Sequence, residues 1–309
     1  MQIISRYFGF FLLLSCLIGM VFPSAGETTS LIVILALAFI IFCSYFHMNF
    51  TTKSLLTDFS ISFQFWLLRF VVLPVFIYFV FKWISDFFAP VLLLALLLPA
   101  AVSSPSFSVI FNGKPDLSLK ILIYSSFLAV LTIPFLMHLL LRSSIHVSTG
   151  KMLLTLVYTI VIPFFVHLPL RRFRRMKDFI EHNNALFTLI GLALIFIFVT
   201  ARNKPAILAN PALVILYAIE AMILYSFMYI TGFYLFPALP KPVRRTFSIS
   251  SGANNIGLGV TITALFFPGN MNIFFIVSQL VWVVMLIPLR RMMSDKRSKI
   301  EDRRLKIED

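Results

Sequence analysis

The chain has 309 residues, of which 60% are hydrophobic and only 12% charged. A soluble domain of this length cannot bury that much apolar surface, and apolar runs near 20 residues recur from end to end, each able to cross a hydrocarbon core of about 30 Å. Alternating ten-residue strands are absent, which excludes a β-barrel. The formal charge of +14 is concentrated between the apolar runs, as the positive-inside rule expects. No soluble domain carries it, so no nucleic-acid partner is expected.

The expected class is an all-α polytopic membrane protein, with membrane lipid as its surroundings. The first apolar run covers residues 7–23 and ends at Pro23; with Arg6 before it and Pro-Ser-Ala-Gly behind, it also fits a cleaved signal peptide. The second covers 31–48, and a polar loop with Lys53 and Asp58 follows. The third, about 61–84, contains Gln64 and Arg69. The fourth, about 88–112, is interrupted by Ser103-Ser104-Pro105-Ser106-Phe107-Ser108. A turn at Lys114-Pro115-Asp116 leads into the fifth, about 118–141, which begins with Lys120 and carries Ser125 and Ser126. Lys120 lies close enough to its helix end to snorkel to the interface.

The sixth run, about 152–170, precedes the most basic loop: Arg171, Arg172, Arg174, Arg175 and Lys177. The seventh is about 185–200, and the eighth, about 209–237, holds Glu220. The ninth and tenth are about 246–267 and 271–289, and residues 290–309 form a charged tail. Ten spans put both termini on one side. The opposite side holds only Lys82, Arg142, Lys151, Arg202 and Lys204, so both termini are expected in the cytoplasm, in the plasma (inner) membrane. Cys16 and Cys43 fall inside apolar runs and read as small membrane hydrophobes.

The ninth run is the least lipid-like. From Ser250 it reads Ser-Ser-Gly-Ala-Asn-Asn-Ile-Gly-Leu-Gly. Irregular backbone survives at membrane depth only inside protein or beside water, and a broken helix ringed by Ser and Asn oxygens is how secondary transporters build sites. The alternative is a close helix–helix contact, which also favours small residues. The interrupted fourth run holds the matching place in the first five spans. Because five is odd, the second set of five enters the membrane inverted, so two inverted repeats are expected, about 7–141 and 152–289.

Arg69 and Glu220 are the charges deepest within runs, at nearly equal depth. Intramembrane charges face the bundle interior and often pair; a buried ion pair is one reading, and separate neighbours the other.

At this point the chain resembles the bile acid:sodium symporter family. The segment from Arg245 to Gly259, Arg-Thr-Phe-Ser-Ile-Ser-Ser-Gly-Ala-Asn-Asn-Ile-Gly-Leu-Gly, is similar to that family's crossover helix, and Arg69-Phe70-Val71-Val72-Leu73-Pro74 to a third-span segment ending in the same proline. Gly19 and Pro23 fit the end of its first helix. The likeness covers about residues 7–290. It implies ten helices in two inverted five-helix repeats, with broken helices 4 and 9 crossing in a core that moves against a panel of helices 1, 2, 6 and 7. It also implies organic-anion transport driven by sodium. The departures are specific. Ser250 stands where the family has a sodium-binding Glu, Asn254 where a Gln ligand is usual, and Arg69 in place of a third-span Gln; Asn255 keeps the family Asn. Phe107-Ser108 replaces a Ser-Asn pair. A lost carboxylate and a gained guanidinium both oppose cation binding.

The candidate substrate- or ion-binding residues are Asn254, Asn255, Ser250, Ser251, Arg69, Ser104, Ser106, Ser108, Ser125, Ser126 and Glu220. A sodium ion, if bound, would fall to Asn254, Asn255 and Ser250; no other cofactor and no catalytic residue is expected. No P-loop, nucleophile elbow or zinc motif occurs. The leading reading is a secondary transporter of a small organic anion. The alternatives are an auxin-efflux-type carrier of related fold, or a non-transport membrane subunit or membrane enzyme.

Overall fold

The computed structural model describes residues 2–23, 26, 28–46, 58–85, 87–141, 148–267 and 269–293. The Lys53 loop, Arg142 and most of the charged tail lie outside the described residues. The described chain is nearly all helical: α1 (Gln2–Val21), α2 (Thr28–Phe46), α3 (Phe59–Ile84), α4 (Ala89–Leu97), α5 (Ser104–Ile110), α6 (Pro115–Leu141), α7 (Thr149–Leu170), α8 (Arg174–Ala209), α9 (Pro211–Tyr234), α10 (Lys241–Gly252), α11 (Ile256–Phe266) and α12 (Gly269–Met293). Among the described residues, α2, α3, α6, α7, α8 and α9 are each long and apolar enough to cross a membrane. The protein is therefore an integral, multi-pass membrane protein. The run that also fitted a signal peptide, α1, packs along α8, with Gly19 against the Ile197 carbonyl.

Two prolines shape the long helices. Pro74 and Pro163 have no N–H to give the preceding turn. Just upstream of each, the helix widens into a five-residue π turn, Leu68–Val72 in α3 and Val157–Val161 in α7. A π turn adds one residue to the local repeat and re-aims its side chains; in α3 the re-aimed residue is Arg69.

Helix α8 runs through Arg174, so the basic stretch expected as a loop is largely helical. Arg174–Asp178 at 3.9 Å and Lys177–Glu181 at 3.6 Å are i,i+4 pairs that support these turns outside the apolar run. The Lys120 ammonium, near the start of α6, is 3.2 Å from the Asp58 carboxylate, which is itself 59% exposed.

Helices α1 and α2 each pack along α8, with α7 against α2. In the rest of the molecule α4, every residue of which is buried, packs on α3, α6 and α11. A helix apolar on all sides belongs at the centre of a bundle. Close approach there is bought by glycine. A Cβ on Gly232 of α9 would lie 2.6 Å from the Phe247 carbonyl oxygen and 2.9 Å from the Ser248 Cα, both backbone atoms of α10. Gly232→Ala should therefore separate the two helices and cost about 1–3 kcal/mol. Gly150→Ala, where nothing lies within 4 Å, should cost nothing. Thermal unfolding of the two variants in detergent checks the pair.

Candidate functional site

The interruptions of α4/α5 and of α10/α11 meet. Ala100 and Asn254 form an isolated antiparallel bridge. The Ala101 N–H donates to the Ala253 carbonyl at 2.7 Å, and the Asn255 N–H to the Pro99 carbonyl at 2.9 Å. The first interruption lies at 98–103, between α4 and α5, so Ser104–Ser108, expected as the broken part, are helical instead. Pro99 accounts for the shift: the residue before a proline is driven out of the α region, so the helix ends at Leu97.

Backbone groups at a buried break need partners, and the candidate polar residues supply them. The Asn254 side-chain amide donates to the Ala95 carbonyl at 2.7 Å. The Ser125 hydroxyl accepts from the Ala100 N–H at 3.2 Å. The Ser104 hydroxyl donates to the Ala253 carbonyl at 3.3 Å. The Asn255 side-chain oxygen accepts from the Leu258 N–H at 3.1 Å, capping α11.

Arg69 completes the set. It is 1% exposed. Its Nε donates to the Ser251 hydroxyl, Nη2 to the Ser251 carbonyl at 2.7 Å, and Nη1 to the Leu96 carbonyl at 2.9 Å. Leu96 and Ser251 are the penultimate residues of α4 and α10. Their carbonyls are among those a helix end leaves without an internal partner, and they carry the negative pole of the helix dipole. One guanidinium thus joins two C-terminal ends. Phe65 of α3 stacks on Phe247 of α10, ring centroids 4.2 Å apart, and fixes the approach of these helices.

On another side of the crossing lies a cavity of about 10 Å³, room for about one water. Asn255 and Val102 from the crossing, Leu122 and Ser126 from α6, Ile41, Ser44 and Tyr45 from α2, and Ile160 from α7 line it. The Tyr45 hydroxyl donates to the Ile160 carbonyl at 3.0 Å, tying α2 to α7 across this wall.

Arg69, Ser104, Ser125, Ser251, Asn254 and Asn255 thus form one cluster, with Ser126 beside it. Ser250 faces α6, its hydroxyl 3.2 Å from that of Ser118. Ser106 is exposed, and the buried Ser108 hydroxyl has no hydrogen-bond partner. The Arg69–Glu220 pair does not form. The guanidinium is committed to Ser251 and Leu96, while both Glu220 carboxylate oxygens are buried with no hydrogen-bond partner. Ser44, Tyr45 and Ser118 escaped the sequence reading because single polar residues in apolar runs resemble ordinary helix contacts.

The model of the Sodium Bile acid symporter family matches residues 34–210. The chain is 25% identical over 175 residues to the uncharacterized sodium-dependent transporter YocS of Bacillus subtilis (strain 168), covering 55% of this chain and 53% of that protein. It is 23% identical over 186 residues to the uncharacterized protein YbaS of the same organism, covering 58% and 60%. The matched segments thus span little more than half the length of these relatives. With the family match extending over more than half of its residues, the chain belongs to the sodium bile acid symporter family.

Proposed function

We propose that this protein is a secondary transporter that carries a small organic anion across the plasma (inner) membrane. In this reading the helices form ten spans in two inverted five-helix repeats, about 7–141 and 152–289. Spans 4 and 9 are α4/α5 and α10/α11, and both termini are cytoplasmic, with 290–309 as a cytoplasmic tail. The observation that carries the proposal is the paired interruption, with α11 starting beside the cavity and Asn255 as its N-cap. A helix N-terminus favours negative charge, and the Ser126 hydroxyl on the cavity wall supplies a hydrogen bond for an anion's oxygen, while the Ser44 and Tyr45 hydroxyls are held by the Ile40 and Ile160 carbonyls. The family match supports this over the auxin-efflux-type reading and over a membrane enzyme or subunit.

Pockets for organic ligands measure about 300–1,000 Å³, far more than the present cavity. Binding then requires α2 and α7 to move away from the crossing and α6. Such rocking of one helix group against another around a fixed site is alternating access. α1, α2, α7 and α8 form one group, and the elements around α4 form the other.

The test is uptake by proteoliposomes of a panel of labelled monocarboxylates, sulfonates and steroid carboxylates. At least one should accumulate saturably. Ser126→Leu, which fills the cavity, should abolish that uptake, and Asn255→Ala should reduce it at least tenfold. No saturable uptake of any anion, or full uptake by Ser126→Leu, would refute the proposal.

Asn254 has a different role in this scheme. Asn254→Ala leaves the buried Ala95 carbonyl without its donor, at a cost of about 1–3 kcal/mol. A lowered thermal midpoint in detergent is expected, in contrast to Ser126→Ala, whose side chain only lines the cavity.

A further inference from the structure

We infer that Arg69 is a resident cation at the crossing, a positive charge supplied by the chain itself, so that the crossed helices assemble and the carrier operates without a bound sodium ion. The transport clause rests on the function proposed above; the binding clause does not.

The first ground is the donor set. Leu96 O, Ser251 O and Ser251 Oγ are three oxygens converging from two helix ends. Carbonyl and hydroxyl oxygens are what a hard cation takes as ligands. Here one guanidinium already engages all three, through three of its five donors.

The second ground is the charge balance. A buried cation is costly unless compensated, and no salt bridge to Arg69 occurs among the described residues. The compensation comes from dipoles. Each helix C-terminus carries about half a negative charge, so the ends of α4 and α10 together balance about one positive charge. That balance is met by the guanidinium alone. A second cation about 5 Å away, at an effective dielectric near 20, would bind roughly a hundredfold more weakly.

The third ground is tethering. The π turn at Leu68–Val72 and Pro74 hold Arg69 in place from α3, and its guanidinium lies 4.8 Å from the Phe70 ring centroid. A solvent ion leaves with each cycle and so links transport to its gradient. A side chain cannot leave, so no gradient is coupled through this site.

The experiment uses the purified full chain in detergent and compares its thermal midpoint in sodium chloride with that in choline chloride at matched ionic strength. Wild type should show no difference. Arg69→Gln, which keeps the oxygens but removes the charge, should be less stable in choline and regain stability saturably with sodium. Arg69→Lys, which keeps the charge, should remain indifferent to sodium. A saturable rise in the wild-type midpoint with sodium would overturn the inference, as would sodium-stabilised Arg69→Lys or a folded Arg69→Gln indifferent to sodium. If Arg69→Gln does not fold, wild type and Arg69→Lys still decide the matter. Uptake by wild-type proteoliposomes in the two buffers completes the test. Equal uptake is expected and sodium-dependent uptake overturns the inference. Absence of uptake combined with sodium-indifferent melting would remove the transporter reading and leave the resident cation standing.

Discussion

A guanidinium with no carboxylate partner, enclosed between the C-terminal ends of two short helices, is the contact on which the rest of this architecture depends. Without it, α4 and α10 would present two negative poles to one another in a medium of low dielectric, where such repulsion is little screened. With it, the ends are drawn together and hydrogen-bonded to one side chain. The chain can then break both helices at the same place and pair the loose backbone of each with that of the other. The same geometry separates the signs of the dipoles: C-terminal ends meet Arg69, while α11 starts at Asn255, beside the cavity.

The crossing also answers the membrane's strictest demand, partners for backbone polar groups, at five of its carbonyls. The Ala95, Leu96, Pro99, Ser251 and Ala253 carbonyls all have donors, drawn from Asn254, Arg69, Asn255 and Ala101, with Ser104 adding a second donor to Ala253. The polar side chains that make the ninth run look unlike a lipid-facing helix are thus engaged chiefly in completing backbone. Few are left to point elsewhere. Asn255 and Ser126 on the cavity side are the exceptions that give the site a chemistry of its own.

Much of this was legible in the residues. Apolar runs located the helices because bilayer thickness fixes their length, and the Ser-Ser-Gly-Ala-Asn-Asn run marked the second interruption because those residues are costly in hydrocarbon without partners. The first interruption was misplaced by a few residues. Its serines caught attention, but Pro99 ends the helix, and a proline within an apolar run is a weak signal when others, such as Pro134, sit inside continuous helix. The long-range partners were not legible. Arg69 and Glu220 have similar depth in the membrane, but depth leaves rotation about each helix axis unspecified, and the π turn before Pro74 alters that rotation. The pairing of Lys120 with Asp58 joins residues 62 positions apart, which no local pattern encodes. The extension of α8 was missed because charge was read as a mark of loop, whereas i,i+4 pairs let a charged segment stay helical.

Helix α8 also fixes a frame of reference. At 36 residues it is about 54 Å long, against a hydrocarbon thickness of about 30 Å. Its overhang begins with Arg174, Arg175 and Lys177, beside the exposed Phe173 and Phe179. Charges and aromatic rings of this kind settle at headgroup depth, and drawing them inward costs several kcal/mol. The helix is therefore gauged against the bilayer like a ruled post, and α1 and α2, packed along it through Gly19 and Gly191, inherit its level. In the alternating access proposed above, this group would stand still with respect to the lipid, and the crossing would do the travelling.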